Sequence, residues 1–196
     1  MGDFIVLPAT ADDLTYIDYL QKKNAEQLSF YPKQVYEREI PNFRIWIAWL
    51  NNEPCGYIYH GAIGGQLRIH QACIQYDLRG KLYGAALIGD LMNRIEGQNV
   101  THITLRCGSD IEANGFWRSM GFYCQHVSQG GVRRMRDINN WRFDISAQLF
   151  DIEVNASEKK QDASVWRKRD KTVKISQFSR GDKIAKYRQS VIDDNS

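Results

Sequence analysis

The sequence predicts an α/β (α+β) fold in which helices flank a mixed, mostly antiparallel sheet. Three observations support this prediction. Segments of alternating apolar residues recur along the chain, other segments carry apolar residues at helical spacing, and turns containing Gly, Pro or Asn separate the two kinds. With 196 residues, 43% of them hydrophobic, the chain can form one ordinary domain with a sizeable core and a short extension.

The first half of the chain predicts a strand, two helices and then three consecutive strands. Residues 10–13 have the pattern of a capping box, and apolar residues follow at helical spacing through 14–28. Residues 51–54 are a turn sequence between two strands, and 64–65 separate the second strand from a third. The predicted elements are a strand at 3–9, a helix from 14 to about 29, a short helix within 30–42, and strands at 43–49, 55–63 and 66–76.

In the second half, the apolar period changes after Asp77 from two to about 3.6 residues, which predicts an amphipathic helix ending at Gly97. Alternation then returns, interrupted by one short helical segment. The predicted elements are strands at 103–107, 122–127 and 138–145 and a helix at 111–120. The resulting order is β-α-α-β-β-β-α-β-α-β-β.

The composition changes near residue 150. Residues 156–190 contain 11 Lys and Arg against four Asp and Glu, a net charge of about +7, and few apolar residues. The sequence therefore predicts a core domain at 1–150 and a basic C-terminal extension at 151–196 that is partly disordered. Aromatic residues among these cations are typical of nucleic-acid contacts, and equally of a solubilising or partner-docking tail.

Neither a membrane span nor a secretory signal is apparent, so we expect a cytoplasmic protein without a membrane partner. The four cysteines are widely spaced, in neither metal-ligand nor CxxC spacing, and we interpret them as reduced core residues. They are Cys55, Cys73, Cys107 and Cys124.

The strongest chemical signal lies at 74–87, where a strand leads through a basic, Gly-containing turn into an amphipathic helix. A helix N-terminus offers unpaired amide donors and a positive dipole end, which suits a pyrophosphate. Gly80 and Gly84 allow a ligand to approach the backbone, and Arg79 and Lys81 add positive charge. A solvated turn with ordinary capping is the alternative interpretation.

This stretch resembles the acetyl-CoA signature of the GNAT acetyltransferases, Arg/Gln-x-x-Gly-x-Gly/Ala. Arg79 matches its first position and Gly84 its last, whereas Leu82 stands where the middle glycine is expected. Residues 113–122 are similar to a later family motif, in which an asparagine (here Asn114) precedes a helix ending in Gly-Phe. The resemblance covers about residues 3–145 and implies a GNAT-like acyl-CoA N-acyltransferase fold.

The resemblance also implies acetyl-CoA (CoA) as the cofactor. Backbone at Ile74 and Gln75 would pair with the pantetheine arm, amides from the turn and the helix start would hold the pyrophosphate, and Asn114 would bond near the thioester. The implied cofactor-binding residues are Ile74, Gln75, Arg79, Gly80, Lys81, Leu82, Tyr83, Gly84, Ala85 and Asn114. Direct transfer to an amine, through a tetrahedral intermediate, is the implied reaction.

The resemblance identifies the general acid and the general base of the reaction less directly. Trp117 stands where many family members have a tyrosine that protonates the departing thiolate. Either another group, such as Tyr83 or a water, takes that role, or so good a leaving group needs no general acid. His70 is the first candidate base because its ordinary pKa lies near neutrality. Glu112 is the second. A structural strand histidine and an exposed carboxylate at a helix start are the respective alternatives.

The acceptor is an amine on a small molecule or a protein. A basic loop near the expected acceptor side carries Arg133, Arg134 and Arg136, which could hold an acidic or nucleic-acid substrate, and could equally be a solvated hairpin. Two alternatives to an amine N-acetyltransferase follow. One is a GNAT-like enzyme that modifies nucleic acid, as some phage or mobile-element relatives do, and the other is a non-catalytic module that binds nucleic acid or protein. The sequence also leaves a homodimer open.

Overall fold

The computed structural model describes residues 3–96, 98–131 and 135–145. Seven strands form one sheet in the order β1-β2-β3-β4-β5-β7-β6. The strands are β1 (Phe4–Pro8), β2 (Ile45–Leu50), β3 (Glu53–Ile63), β4 (Gln66–Ile74), β5 (His102–Gly108), β6 (Tyr123–Gln129) and β7 (Asp137–Asp144).

Four α-helices cover the two faces of the sheet. They are α1 (Leu14–Lys23), α2 (Lys33–Glu39), α3 (Tyr83–Ile95) and α4 (Ala113–Ser119). The apolar side of α3 and Trp117 of α4 pack on one face, and α1 and α2 pack on the other face, over the strands β2, β3 and β4. The predicted order of elements and the predicted mixed, mostly antiparallel sheet are therefore confirmed.

The pairing of β4 with β5 decides where a ligand can enter. All other neighbouring strands in the sheet are antiparallel, whereas β4 and β5 are parallel. Their register covers only Gln66–Ile69 against His102–Leu105, although both strands continue, β4 to Ile74 and β5 to Gly108. The sheet therefore opens between the carboxyl ends of these two strands.

Two predicted boundaries are wrong. Helix α1 ends at Lys23 instead of near residue 29, because the Asn24 side chain donates to the carbonyl of Leu20 (2.8 Å) and the backbone of Asn24 leaves the helical conformation. Strand β4 ends at Ile74, before a 3₁₀ turn at Tyr76–Leu78. The capping box is confirmed, since Asp13 accepts hydrogen bonds from the backbone N–H and the hydroxyl of Thr10.

The cysteine prediction holds for three of the four residues. Cys55, Cys73 and Cys107 are buried, whereas Cys124 is exposed on β6, because the strand lies at the edge of the sheet and most of its side chains face solvent. All four thiols are free. Within the described ranges, no helix is both long enough and apolar enough to cross a membrane. The extension at 151–196 lies outside the described residues, and a domain boundary at 150 stays a proposal.

Candidate active site

A cleft of about 1550 Å³ lies where β4 and β5 separate. Both strands line it, together with the N-terminus of α3, one side of α4 and the segment that follows α1. Since β4 lacks a strand partner on this side beyond Ile69, its backbone edge is open toward the cleft. A large cleft beside an uncovered strand edge can hold an extended ligand arm.

The turn before α3 presents backbone donors to this cleft. Gly80 (φ 73°) and Leu82 (φ 68°) are both left-handed, and Leu82 is the N-cap of α3. No described side chain caps the helix, and its first internal bond runs from Ala86 N–H to the Leu82 carbonyl (2.9 Å). The amides just before Ala86 are therefore free of helical partners, as an anion site requires.

The backbone at Leu82 shows why the acetyl-CoA signature has a glycine at this position. Its left-handed backbone costs a leucine about 1–2 kcal/mol, a cost that glycine avoids. The side chain is 38% exposed, so little packing offsets that cost. The position is thus one where the fold favours glycine, although the chain has leucine.

We expect Leu82→Gly to have a free energy of unfolding about 1 kcal/mol higher than Leu82→Ala. Both variants remove the leucine side chain, and only glycine relieves the left-handed backbone of residue 82. Urea unfolding of the two proteins measures the difference. Equal stabilities would show that residue 82 is not held left-handed in solution.

Gly84, one residue into α3, lies against α4. A Cβ at this position would lie 3.3 Å from Cε2 of Phe116 and 4.0 Å from Cγ1 of Ile74, and both of those residues line the cleft. Glycine therefore lets the two cleft walls approach closely here, since any larger residue would make the Phe116 ring give way slightly. The φ of Gly84 is not the reason. Ala85 is buried beside it and also lines the cleft.

The Arg79 side chain lines the cleft and is also hydrogen-bonded within the protein. Its contribution of positive charge to a pyrophosphate site stays a prediction. Its guanidinium donates to the side chains of Asn24 and Gln27, and its Nε donates to the carbonyl of Ile74 (3.2 Å). Arg79 therefore ties the segment after α1 to the end of β4. Lys81 is exposed and lies outside the cleft lining.

The two residues expected to pair with an extended ligand differ. Ile74 lines the cleft, whereas Gln75 does not. The Gln75 N–H donates to the carbonyl of Cys55 (2.9 Å), and its carbonyl accepts from the N–H of Leu78 (3.1 Å). Because both backbone groups are engaged, the edge available to a ligand ends at Ile74.

The side chain of Asn114 is hydrogen-bonded to several separate parts of the protein. Its Nδ2 donates to carbonyls at the end of β5 and in the turn before α4, among them those of Gly108 (2.7 Å) and Ile111 (2.7 Å). Its Oδ1 accepts from Asn139 Nδ2 (3.0 Å) and Trp141 Nε1 (3.0 Å) of β7. The side chain is thus committed to the protein and holds β5, α4 and β7 together. Asn114 is absent from the described cleft lining, and its bond to the cofactor stays a prediction.

Tyr83 and Trp117 both belong to the core. Tyr83 stacks on Phe4 of β1, with ring centroids 5.4 Å apart, and it is absent from the cleft lining. Its side chain is therefore not placed to act as an acid in the cleft. Trp117 is 6% exposed and packs edge-on against Phe122.

His70 lies in the cleft beside a tyrosine that the sequence pattern did not single out. The hydroxyl of Tyr31 is 3.4 Å from Nδ1 of His70, and the imidazole stacks on Tyr59 at 4.6 Å. Burial lowers the pKa of His70, and the charge of Arg68 lowers it further. Burial also raises the pKa of Tyr31. Near neutral pH the pair is therefore a neutral imidazole beside a neutral phenol.

A buried polar network positions Tyr31. The Tyr31 N–H donates to Gln21 Oε1 (2.7 Å), and Gln21 Nε2 donates back to the Tyr31 carbonyl (3.0 Å). Gln71 of β4 donates to the carbonyl of Ser29 and to Gln21 Oε1. The loop after α1 is thereby fixed over the strand that carries His70. Tyr31 lies in a loop, where the sequence has no helical or strand periodicity that could have identified it. Only the hydrogen bonds of this network bring it to the site.

Of the remaining predicted site residues, two line the cleft and two are not described. Glu112 is exposed at the start of α4 and lines the cleft. Arg136 also lines it, donates to the carbonyl of Glu26 (3.3 Å) and lies 3.5 Å from the carboxylate of Asp110. Arg133 and Arg134 fall outside the described residues.

Solved structures resemble this fold at low sequence identity. The ribosomal-protein-S18-alanine N-acetyltransferase from Escherichia coli aligns with a TM-score of 0.62 at 13% identity, covering 72% of this chain and 94% of that one. Ard1 from Thermoplasma volcanium aligns with a TM-score of 0.64 at 15% identity, covering 72% and 97%. Arabidopsis thaliana Naa50 in complex with the bisubstrate analogue CoA-Ac-MVNAL gives 0.63 at 17%, covering 72% and 99%.

Sequence comparisons give one family. No curated protein matches the chain significantly. The family described as acetyltransferase (GNAT) domain matches residues 15–134, which is more than half of the chain and includes both predicted motifs and the cleft between β4 and β5. The chain therefore belongs to the GNAT acetyltransferase family, as an acetyl-CoA-dependent N-acetyltransferase.

Proposed function

We propose that the cleft between β4 and β5 holds acetyl-CoA and that an amine acceptor meets it beside Tyr31 and His70. The observation that carries this proposal is that the open edge of β4 leads directly to the uncapped N-terminus of α3. The cofactor, when bound, supplies an acetyl thioester, which is an acyl donor with a good leaving group.

The described residues fit this cofactor. The left-handed turn at Gly80 and Leu82 and the uncapped start of α3 line one end of the cleft, and free amides there suit a pyrophosphate. The edge from His70 to Ile74 can accept an extended arm as an added strand. Gly84 keeps the passage between α3 and α4 narrow and unobstructed. In this proposal the backbone binds the cofactor, and the side chains of Arg79 and Asn114 hold the walls in place.

Tyr31 and His70 form a proton relay in this proposal. Nε2 of His70 points at Gly61, where a Cβ would lie 3.1 Å away, so Nδ1 is the nitrogen that faces the hydroxyl of Tyr31. The Tyr31 oxygen takes a proton from the acceptor amine while its own proton passes to Nδ1. The separation of 3.4 Å suits a relay that tightens when the acceptor is bound. Glu112 stays the second candidate base.

The acceptor class is proposed as an amine on a small molecule or a protein. Two structures that resemble this fold hold ligands of that kind: Naa50 is in complex with a bisubstrate analogue, and the NatC complex is bound to Gag peptide and CoA. The nucleic-acid acceptor was predicted from Arg133, Arg134, Arg136 and the extension at 151–196. Of these only Arg136 is described, and it lines the cleft. We propose the amine acceptor because those two structures hold ligands of that kind. The nucleic-acid acceptor and the homodimer stay predictions.

We expect CoA to stabilise the protein against thermal unfolding. A ligand that binds only the native state adds about 2.7 kcal/mol at a hundredfold excess over its Kd, which is a shift of several degrees in Tm. Pantetheine is the matched control, since it lacks the pyrophosphate and leaves the amides at the start of α3 unpaired. Differential scanning fluorimetry with both ligands tests the proposal. No shift with saturating CoA would contradict it.

A further inference from the structure

The acceptor side of the cleft carries an unusual set of cations. Leu67 and Ile69 of β4, like Leu105 and Cys107 of β5, point into the core shared with α3. The residues between them therefore point to the opposite face. On that face Arg68 precedes His70 by two residues, and Arg106 lies diagonally across from Arg68, because Arg68 pairs with Thr104.

These two arginines have no partner within the described part of the chain. Neither side chain makes a hydrogen bond or an ion pair there, although both residues line the cleft. They flank the point at which β4 and β5 part. By contrast, Arg142 on the same face of β7 is bonded to Asp144 (2.8 Å). Two adjacent unpaired guanidinium groups repel each other, and an anion between them removes that repulsion.

A third arginine extends the patch. Arg136 lies over Gly108, where a Cβ would be 2.9 Å from its Cδ, on the same face as Arg106. Its Nε is buried and has no acceptor among the described residues. The described cleft lining contains four arginines but only two carboxylates, those of Asp77 and Glu112. The cleft is therefore electropositive beside the proposed relay.

We propose that the amine acceptor carries an anionic group, a carboxylate or a phosphate, which Arg68 and Arg106 bind while its amine lies at Tyr31. The inference rests on the proposed function and specifies its substrate class. Guanidinium groups match the geometry of both anions and bind them through paired hydrogen bonds. The same charges disfavour an ammonium beside them, so they favour the free amine, which is the form that accepts an acetyl group.

The test compares acceptors that differ only in this charge. Glycine, β-alanine and 4-aminobutyrate are assayed against glycinamide, β-alaninamide and 4-aminobutyramide at equal free-amine concentrations, with CoA release as the readout. O-phosphoethanolamine distinguishes a phosphate from a carboxylate. We expect kcat/KM to be at least about tenfold higher for one anionic acceptor than for its amide, the effect of one charge-assisted contact.

Variants assign the preference to the two arginines. Arg68→Gln with Arg106→Gln should reduce the preference to about twofold, through KM. The preference is the ratio of kcat/KM for an anionic acceptor to that for its amide in the same variant, so any effect of Arg68 on His70 cancels. Arg142→Gln is the matched control, since its arginine is already paired, and should keep the parent preference. Calorimetric titration of 4-aminobutyrate and O-phosphoethanolamine into the CoA complex gives a readout without turnover.

The possible outcomes distinguish a failure of the anionic acceptor from a failure of the proposed acetyl-CoA site. If CoA binds but neither anionic probe binds or reacts better than its neutral or amide counterpart, the inference is wrong and the proposed cofactor site stands. Acceptance of a lysine-rich peptide or of single-stranded DNA in preference to every small anionic amine would also overturn it. If CoA itself does not bind, the proposed function fails first.

Discussion

Gly84→Glu is expected to lower the affinity for CoA by at least about a hundredfold, roughly 2.7 kcal/mol. The Cβ would already contact the Phe116 ring at 3.3 Å, so the remaining side chain must enter the cleft between Phe116 and Ile74. It would occupy the passage proposed for the cofactor and place a negative charge near its phosphates. Isothermal titration of CoA measures the loss. Crowding against Phe116 should also cost about 1–3 kcal/mol of stability, read from urea unfolding.

Two controls separate the loss of the site from the loss of the fold. Gly84→Ala adds only the methyl group that contacts Phe116, and it should bind CoA more nearly like the parent protein. Gln98→Glu adds the same charge as Gly84→Glu beyond the far end of α3, where residue 98 is exposed, and should leave affinity unchanged. A Gly84→Glu protein that is folded and binds CoA as the parent does would place the cofactor elsewhere.

Tyr31→Phe and His70→Gln are each expected to lower kcat by about a hundredfold, the usual contribution of positioned proton transfer. Because both residues act in the same proton relay, the double variant should be little slower than either single one. Tyr31→Phe keeps the backbone bonds to Gln21, so the loop should stay in place. Steady-state kinetics with the best acceptor measure the three variants. Additive losses would contradict a shared relay.

The way in which activity depends on pH also tests the Tyr31 and His70 pair. Since burial lowers the pKa of His70 below its ordinary value of 6.5, the imidazole stays neutral at neutral pH and activity should fall only as pH drops through that lowered pKa. His70→Gln should remove this acidic limb from the kcat profile. His126→Gln, at an exposed histidine of β6, and Tyr19→Phe, at an exposed tyrosine of α1, are matched controls. An unchanged acidic limb in His70→Gln would assign it to Glu112 or another group.

The sequence by itself determined the order of the elements, the capping box and the turn at residues 79–84. These are local features, because periodicity and capping depend on neighbours within a few residues. The predicted end of α1 was wrong. The apolar spacing of the sequence continues past Lys23, whereas the hydrogen bond from Asn24 to Leu20 ends the helix. The family motifs also located the turn and the two helices that line the cleft.

Only the tertiary structure decided what the individual side chains do. Arg79 and Asn114 match the family motifs, yet both are committed to partners on other elements. Tyr83 is next to the key glycine in sequence, but it packs on Phe4. Tyr31 and His70 meet although 39 residues separate them. Sequence patterns report which face of an element is buried, whereas the partners of a polar side chain depend on packing between distant segments, which no local pattern encodes.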